Sequence, residues 1–386
     1  MSKKTWLLCD ATAGRYIDAC RFGAGDVTGA ASPFSIAKRR LHGGLRDGVD
    51  IVEIDNGRLR LTVIPTRGMG IHRAECDGVR LGWTSPVRNG PVHPKFVPQD
   101  EATGIGWLSG FDEFLVRCGL EYCGAPEWQG GKLVHPLHGR IANLPAHRVE
   151  IGFDPATQEL SVTGVVDEAR LFSNSLRLTS TLRTKLGSSS FTVTDEITNL
   201  ATKPGELELL YHINQGGPLA APGATFHAPI ERLIPKDAHS AAGVKSWNRY
   251  APESHEPESV YFFELAAGDD GWTQTLLSAP DGTKGLGVAF DRRQFPLFTL
   301  WKNPLPEGDG YVTGIEPCIN LPHTKGFEKS QGRVAVLAPG ETRRFDIRIE
   351  AATTTEDVNR LRSEVDALQR RAEPQIFDQP QPGWSP

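Results

Sequence analysis

Three stretches far apart in the chain, HPLHGRIAN from His135, YHINQGG from Tyr211 and GIEPCIN from Gly314, each set an ionisable side chain beside glycine, proline or asparagine. Proton transfer at a polar small molecule needs that combination of titrating group and irregular backbone. His212 follows the strand-like run ELELL, so it emerges near a strand end with Asn214 and Gln215 as fixed hydrogen-bonding groups. Such a histidine suits a general acid. Glu316 has Tyr311, Val312 and Ile315 nearby, and Pro317 ends regular pairing. A carboxylate in that setting is poorly solvated, which raises its pKa and strengthens it as a base unless an arginine offsets the burial. His138 precedes Gly139, which permits close backbone approach, so its ring is available to a substrate oxygen.

Each of these residues also has an ordinary structural explanation. A histidine beside glycine often satisfies a buried loop carbonyl, and a buried glutamate often completes a salt bridge. Arg67, in IPTRGMGI, sits between Pro65 and Gly68 at a bend after RLRLTVI. It is expected either to turn its guanidinium towards the same pocket as a substrate-binding group or to end a strand at the surface. Lys302 and Trp301 in FTLWKNP, with Trp107, are further binding candidates, since aromatic rings stack on the apolar face of a sugar and equally often just pack. His135 reads as structural, and His72, His93 and His323 lack a suggestive context.

The elements that must position these groups are mostly strands. RLRLTVI (58–64), ELSVTGV (159–165), LRLTSTLRT (176–184), SFTVTDEIT (190–198) and RRFDIRIE (343–350) alternate apolar with polar residues, with turn residues between them. So many strands with tight connections predict an all-β fold, a large antiparallel sandwich. TTTEDVNRLRSEVDALQRRA, within 353–372, predicts a terminal helix with a Thr353/Glu356 capping box and an apolar stripe of Val358, Leu361, Val365 and Leu368. Residues 374–386 are expected to form an extended tail on which Phe377 and Trp384 are free to dock. No repeat or linker divides the chain, so residues 1–386 are taken as one domain with its core at about 50–350.

Composition narrows the partners. The 386 residues carry 23% charged side chains and a net charge of -5, with no block of one sign, so neither nucleic acid nor a membrane surface is an expected partner. The six cysteines include no CxxC pair, and the apolar runs are far shorter than a membrane span. A cytoplasmic protein with reduced thiols is the expectation.

The order LHG, YHINQGG, GIEP across a β-rich chain resembles the galactose mutarotase-like superfamily of aldose 1-epimerases. More closely it resembles a branch without an assigned substrate, in which PTRGMGI, SGFDEFLVRCGLEYCGAP and PLFTLWKN also recur in kind. The likeness spans about residues 50–350. It implies a β-supersandwich with a sugar pocket on one sheet face, His212 as acid, Glu316 as base, and His138 and Arg67 holding sugar oxygens. Tyr211 departs from the asparagine usual before the acid, and no residue stands out as the aspartate that grips sugar hydroxyls.

The corresponding reaction exchanges sugar anomers. A base takes the proton of the anomeric hydroxyl, an acid protonates the ring oxygen, and the opened aldehyde turns before closing. No cofactor or metal is required. The rival readings are a metal-dependent sugar isomerase using His135, His138, His212 and Glu316 as ligands, a non-catalytic carbohydrate-binding protein, and a scaffold whose terminal helix supports a homodimer.

Overall fold

The computed structural model describes residues 2–386 and places nearly all of the alternating segments in strands. Leu59–Ile64, Glu159–Ala169, Ser175–Lys185, Ser190–Asn199 and Thr342–Ala352 cover the five runs read from the sequence. Two large sheets result, one of ten strands and one of fourteen. In the first, Thr342–Ala352 lies between Gly285–Asp291 and Ser190–Asn199, and the adjacent 190–199, 175–185 and 159–169 strands form an antiparallel meander.

The fourteen-stranded sheet carries the candidate site. Its centre runs Ser259–Leu265, Leu297–Asn303, Val312–Cys318, Gly205–Gln215, Leu115–Leu120 and Gly70–Cys76 in spatial order. A strand exposes alternate residues on opposite faces, so each of these strands splits its side chains between two environments. Leu209, Tyr211, Ile213, Phe298, Leu300 and Ile315 point into the main core, where they meet Leu160, Val162, Leu178 and Val193 of the other sheet. Leu210, Val312, Val116, Cys118 and Cys318 point the other way, into a second apolar cluster with Trp83, Trp107 and Phe111. The all-β sandwich with a C-terminal helix is therefore the architecture.

That helix spans Thr355–Gln369, and its cap lies one residue later than the sequence suggested. Thr354 Oγ1 accepts from Asp357 N at 3.2 Å, whereas Thr353 Oγ1 is engaged with Asp77 and Arg58. Val358, Leu361 and Val365 pack on Leu276 and Ala352, so the apolar stripe is spent on the body of the molecule. The tail docks as well. Gln375–Ile376 pairs in parallel with Ile230–Pro235, Arg333 donates to Gly383 O at 2.7 Å, and Ser385 Oγ donates to Lys236 O at 2.7 Å. Among the described residues no helix is long and apolar enough to cross a membrane.

Candidate active site

Register brings the second and third sequence stretches together. On Gly205–Gln215 the even-numbered residues face the aromatic cluster, and on the neighbouring Val312–Cys318 strand Val312, Gly314, Glu316 and Cys318 do the same. Asn214 pairs with Gly314 and Ile213 with Ile315, which sets His212 beside Glu316. His212 Nε2 lies 3.1 Å from Glu316 Oε1. Glu316 Oε1 has no hydrogen-bond partner, although both side chains are buried.

The protonation of this pair follows from its surroundings. Asn214 Nδ2 donates to Glu113 O at 2.9 Å and His212 O at 3.2 Å, so its Oδ1 faces His212 Nδ1 at 2.5 Å as an acceptor. The imidazole therefore carries its hydrogen on Nδ1 and presents a bare Nε2 to Glu316 when neutral. Burial, with the His138 ring close by, pushes the His212 pKa down to about 3. Burial drives Glu316 the other way, well above the usual carboxylate range. Low dielectric disfavours both charged forms, which favours the neutral pairing of imidazole with carboxylic acid.

His138 enters the same space from a loop. Its φ of 59° lies in the left-handed region, and Gly139 follows with φ 74°. A Cβ on Gly139 would come within 2.2 Å of Tyr122 O and 2.3 Å of Gly119 O, so only glycine fits. The tight backbone lets His138 Nδ1 donate to Cys123 O at 2.9 Å, which again leaves Nε2 bare. The ring centroids of His138 and His212 are 5.6 Å apart, and Trp107 packs edge-on against His138 at 4.7 Å.

Around these groups lies a cavity of about 590 Å³. Trp83, Trp107, Phe111 and Trp301 form much of its wall, with Phe111 and Trp301 edge-on to His212 at 5.2 and 5.4 Å. Trp301 is fixed by its Nε1, which donates to Glu258 Oε2 at 2.6 Å. Ser85, Thr299, Asn303, Lys236, Glu258, Asp309 and His323 supply the other polar positions.

Of the nine residues singled out from the sequence, Trp107, His138, His212, Trp301 and Glu316 line this cavity. Asn214 lies directly behind His212 as its orienting partner. Arg67, Gln215 and Lys302, read from the sequence as substrate-binding groups, are not in the lining. Arg67 is buried against Glu113, with Nε donating to Oε1 at 2.7 Å and Nη1 to Val92 O at 3.0 Å. It acts one layer out, because Glu113 O holds both Asn214 Nδ2 and Trp83 Nε1. Gln215 follows Asn214 on a strand and so faces the opposite side, where it bonds both Gly82 N and Gly82 O. Lys302 follows Trp301 and diverges from it for the same reason, donating to Trp247 O at 3.0 Å.

Tyr211 also falls on the opposite side from the acid, in the main core, where its hydroxyl bonds the Asp195 carboxylate beside Arg117. That departure from the usual asparagine leaves the cavity untouched. His135 stands outside the lining, its ring 4.4 Å from Tyr122. The four-residue set required by the metal reading is thus not assembled, and no cluster of three His, Cys, Asp or Glu side chains suited to a metal ion occurs among the described residues.

The sequence reasoning passed over Lys236, Glu258, Asp309 and His323. The first three lie in or beside loops with no periodic pattern to mark a face. His323 lines the cavity with its ring nitrogen 2.8 Å from Trp384 O, a partner in the distant C-terminal tail.

A family model described as "Domain of unknown function (DUF4432)" matches residues 46–351. The chain belongs to that family. Its fold is that of the galactose mutarotase-like proteins, as the solved structures make clear. A Klebsiella pneumoniae protein described as a "putative aldose 1-epimerase" is 34% identical, with 98% of this chain and 99% of that chain covered and a TM-score of 0.94. A galactose mutarotase-like protein from Clostridium acetobutylicum gives 15% identity, 79% and 95% coverage and a TM-score of 0.55. The galactose 1-epimerase of Lactobacillus acidophilus gives 12%, 81% and 97%, and 0.53. Those two likenesses concern the fold alone. No curated protein matches the sequence.

Proposed function

We propose that this DUF4432 protein is an aldose 1-epimerase-type isomerase that exchanges the anomers of a sugar by moving protons through His212 and Glu316. The observation that carries the reading is the buried His212–Glu316 contact of 3.1 Å inside an aromatic-walled cavity, with the two pKa values displaced in opposite directions. The anomeric hydroxyl and the ring oxygen are bonded to the same carbon. An acid and a base that serve both must therefore be near neighbours, as these are.

With the resting proton on Glu316, ring opening starts with the roles reversed from the sequence expectation. His212 Nε2 takes the proton of the anomeric hydroxyl, Glu316 gives its proton to the ring oxygen, and the bond from the anomeric carbon to the ring oxygen breaks as the carbonyl forms. Imidazolium and carboxylate are left side by side. After rotation of the aldehyde, the freed hydroxyl attacks the other face, Glu316 recovers that proton and His212 returns its own to the carbonyl oxygen. The sum is one anomer turned into the other with both residues restored. Asn214 stabilises the transient imidazolium by accepting from Nδ1, and His138 offers Nε2 to a further sugar hydroxyl.

The test is two-dimensional exchange NMR or polarimetry on a panel of aldoses. Glu316→Gln and His212→Asn are each expected to lower the exchange rate about a hundredfold or more with the fold retained. Near wild-type rates in both variants would remove the pair from the mechanism. Saturable sugar binding without faster exchange in the unaltered protein would favour the carbohydrate-binding alternative.

A further inference from the structure

Three of the polar groups expected from the sequence to hold sugar hydroxyls are turned away from this cavity. Arg67 is committed to Glu113 and Val92, Gln215 to Gly82, and Lys302 to the carbonyl of Trp247. Lys236 and Glu258 do face the cavity, but they lie 3.5 Å from each other and Glu258 also holds Trp301. Ser85, His138, Thr299, Asn303, Asp309 and His323 add polar atoms to the lining, and the rest of the wall beyond the acid–base pair is aromatic and aliphatic. Leu137, Val260, Leu305 and Val312 join the four aromatic rings, and Leu108 lies at the wall while 42% exposed to solvent.

On the premise of the anomer-exchange reading, we infer that the substrate is an aldose that carries an apolar substituent, or lacks hydroxyls, on the side remote from its anomeric carbon. A free hexose bears a hydroxyl on most ring carbons. Each one buried against Trp107, Val260 or Leu305 loses its water and gains no partner, which opposes binding. A methyl, acyl or aryl group in the same place is removed from water at a gain. Size points the same way, because about 590 Å³ lies within the range of cavities that enclose a drug-sized ligand and leaves space beyond one pyranose ring.

The aromatic walls also act on one another in a way that suits this ligand. Trp83 and Trp107 flank Phe111 with ring centroids 4.9 and 4.8 Å away, so the wall is a continuous packed surface rather than isolated stacking platforms. Such a surface discriminates by apolar area and shape, while a lone ring under a sugar discriminates by the pattern of axial and equatorial hydroxyls.

The test is calorimetric titration of the unaltered protein with matched ligands: glucose and galactose, their monodeoxy derivatives, and the same sugars carrying a benzyl ether at C3, C4 or C6. At least one deoxy or benzyl member is expected to bind about tenfold or more tightly than its parent. Replacing Leu108 and Leu305 together by asparagine should shrink that preference severalfold, because the apolar wall is then broken by amides. A parent hexose that binds as tightly as every derivative, or no binding by any member, overturns the inference. The two conclusions fail separately. Preferential binding of an apolar member without anomer exchange keeps the ligand class and removes the isomerase, whereas rapid exchange of the free hexoses with no derivative preferred does the opposite.

Discussion

Gly314 offers the most direct way to disturb the chemistry without disturbing the fold. It lies in regular strand conformation opposite Asn214, so alanine is acceptable to the backbone there. A methyl group at this position would nevertheless stand 2.1 Å from Glu316 Oε1, 3.1 Å from its Cδ and 2.9 Å from His212 Cε1. Ordinary contact begins at 3.4 Å, so the carboxyl must retreat by more than about 1 Å. The obstructed atoms are the end of the flexible Glu316 side chain and the edge of the His212 ring, so Glu316 changes rotamer and the ring yields by about 0.5 Å. A displacement of about 1 Å in a proton-transfer group costs roughly a hundredfold in rate, which corresponds to about 2.7 kcal/mol in the barrier.

Gly314→Ala should therefore lose about two orders of magnitude in anomer exchange by NMR, with thermal unfolding close to that of the unaltered protein. The double variant Gly314→Ala with Glu316→Gln separates the causes. If the methyl acts only by moving the carboxyl, it adds no further loss once the carboxyl is gone. An exchange rate for Gly314→Ala within about threefold of the original refutes the idea that the 3.1 Å contact governs turnover. A collapse of the melting transition would show instead that the strand cannot accept the methyl.

Glu316→Gln should stabilise the protein as pH rises: a carboxyl with a raised folded pKa binds its proton more tightly in the native state, so the unaltered protein loses stability as pH climbs from the ordinary carboxylate pKa through the folded one, and the amide escapes that loss. Melting temperatures of the two proteins compared from pH 4 upward read this directly, and a constant difference across the range would contradict the raised pKa. Arg67→Ala should cost about 3–5 kcal/mol in chemical denaturation, because it leaves Glu113 buried and unpaired. A raised KM at unchanged stability would return that arginine to the substrate. Exhaustive chelation should leave anomer exchange intact, since two side chains supply both proton transfers; activity that vanished and returned with a divalent ion would support the metal-dependent isomerase instead.

Strand alternation made the sheet legible before any coordinates, and the same rule explains where the site reading went astray. Asn214 with Gln215, and Trp301 with Lys302, are adjacent pairs on strands, so each pair was bound to divide between the two faces. His212 and Glu316 share a face only through the register of two strands about a hundred residues apart, which the sequence carries as motif order and not as periodicity. Arg67 was harder. Whether its guanidinium turned to the cavity or to Glu113 depended on the path of the intervening loop, and no local pattern encodes that path. The same holds for His323, whose partner is the carbonyl of Trp384.

Two glycines shape the site, and they do so differently. At Gly139 the obstruction is main chain, Tyr122 O and Gly119 O, the latter within the Leu115–Leu120 strand. No rotamer change relieves it, and the left-handed φ adds its own penalty for any larger residue. A side chain there would unseat the whole 138–140 turn, including the bond from His138 Nδ1 to Cys123 O that leaves Nε2 facing the cavity. At Gly314 the obstruction is side chain, the Glu316 carboxyl and the edge of the His212 ring. Gly139 is thus required to build the loop that presents His138, and Gly314 to let His212 and Glu316 approach each other. That difference is why alanine at 314 reports on chemistry while any substitution at 139 reports first on folding.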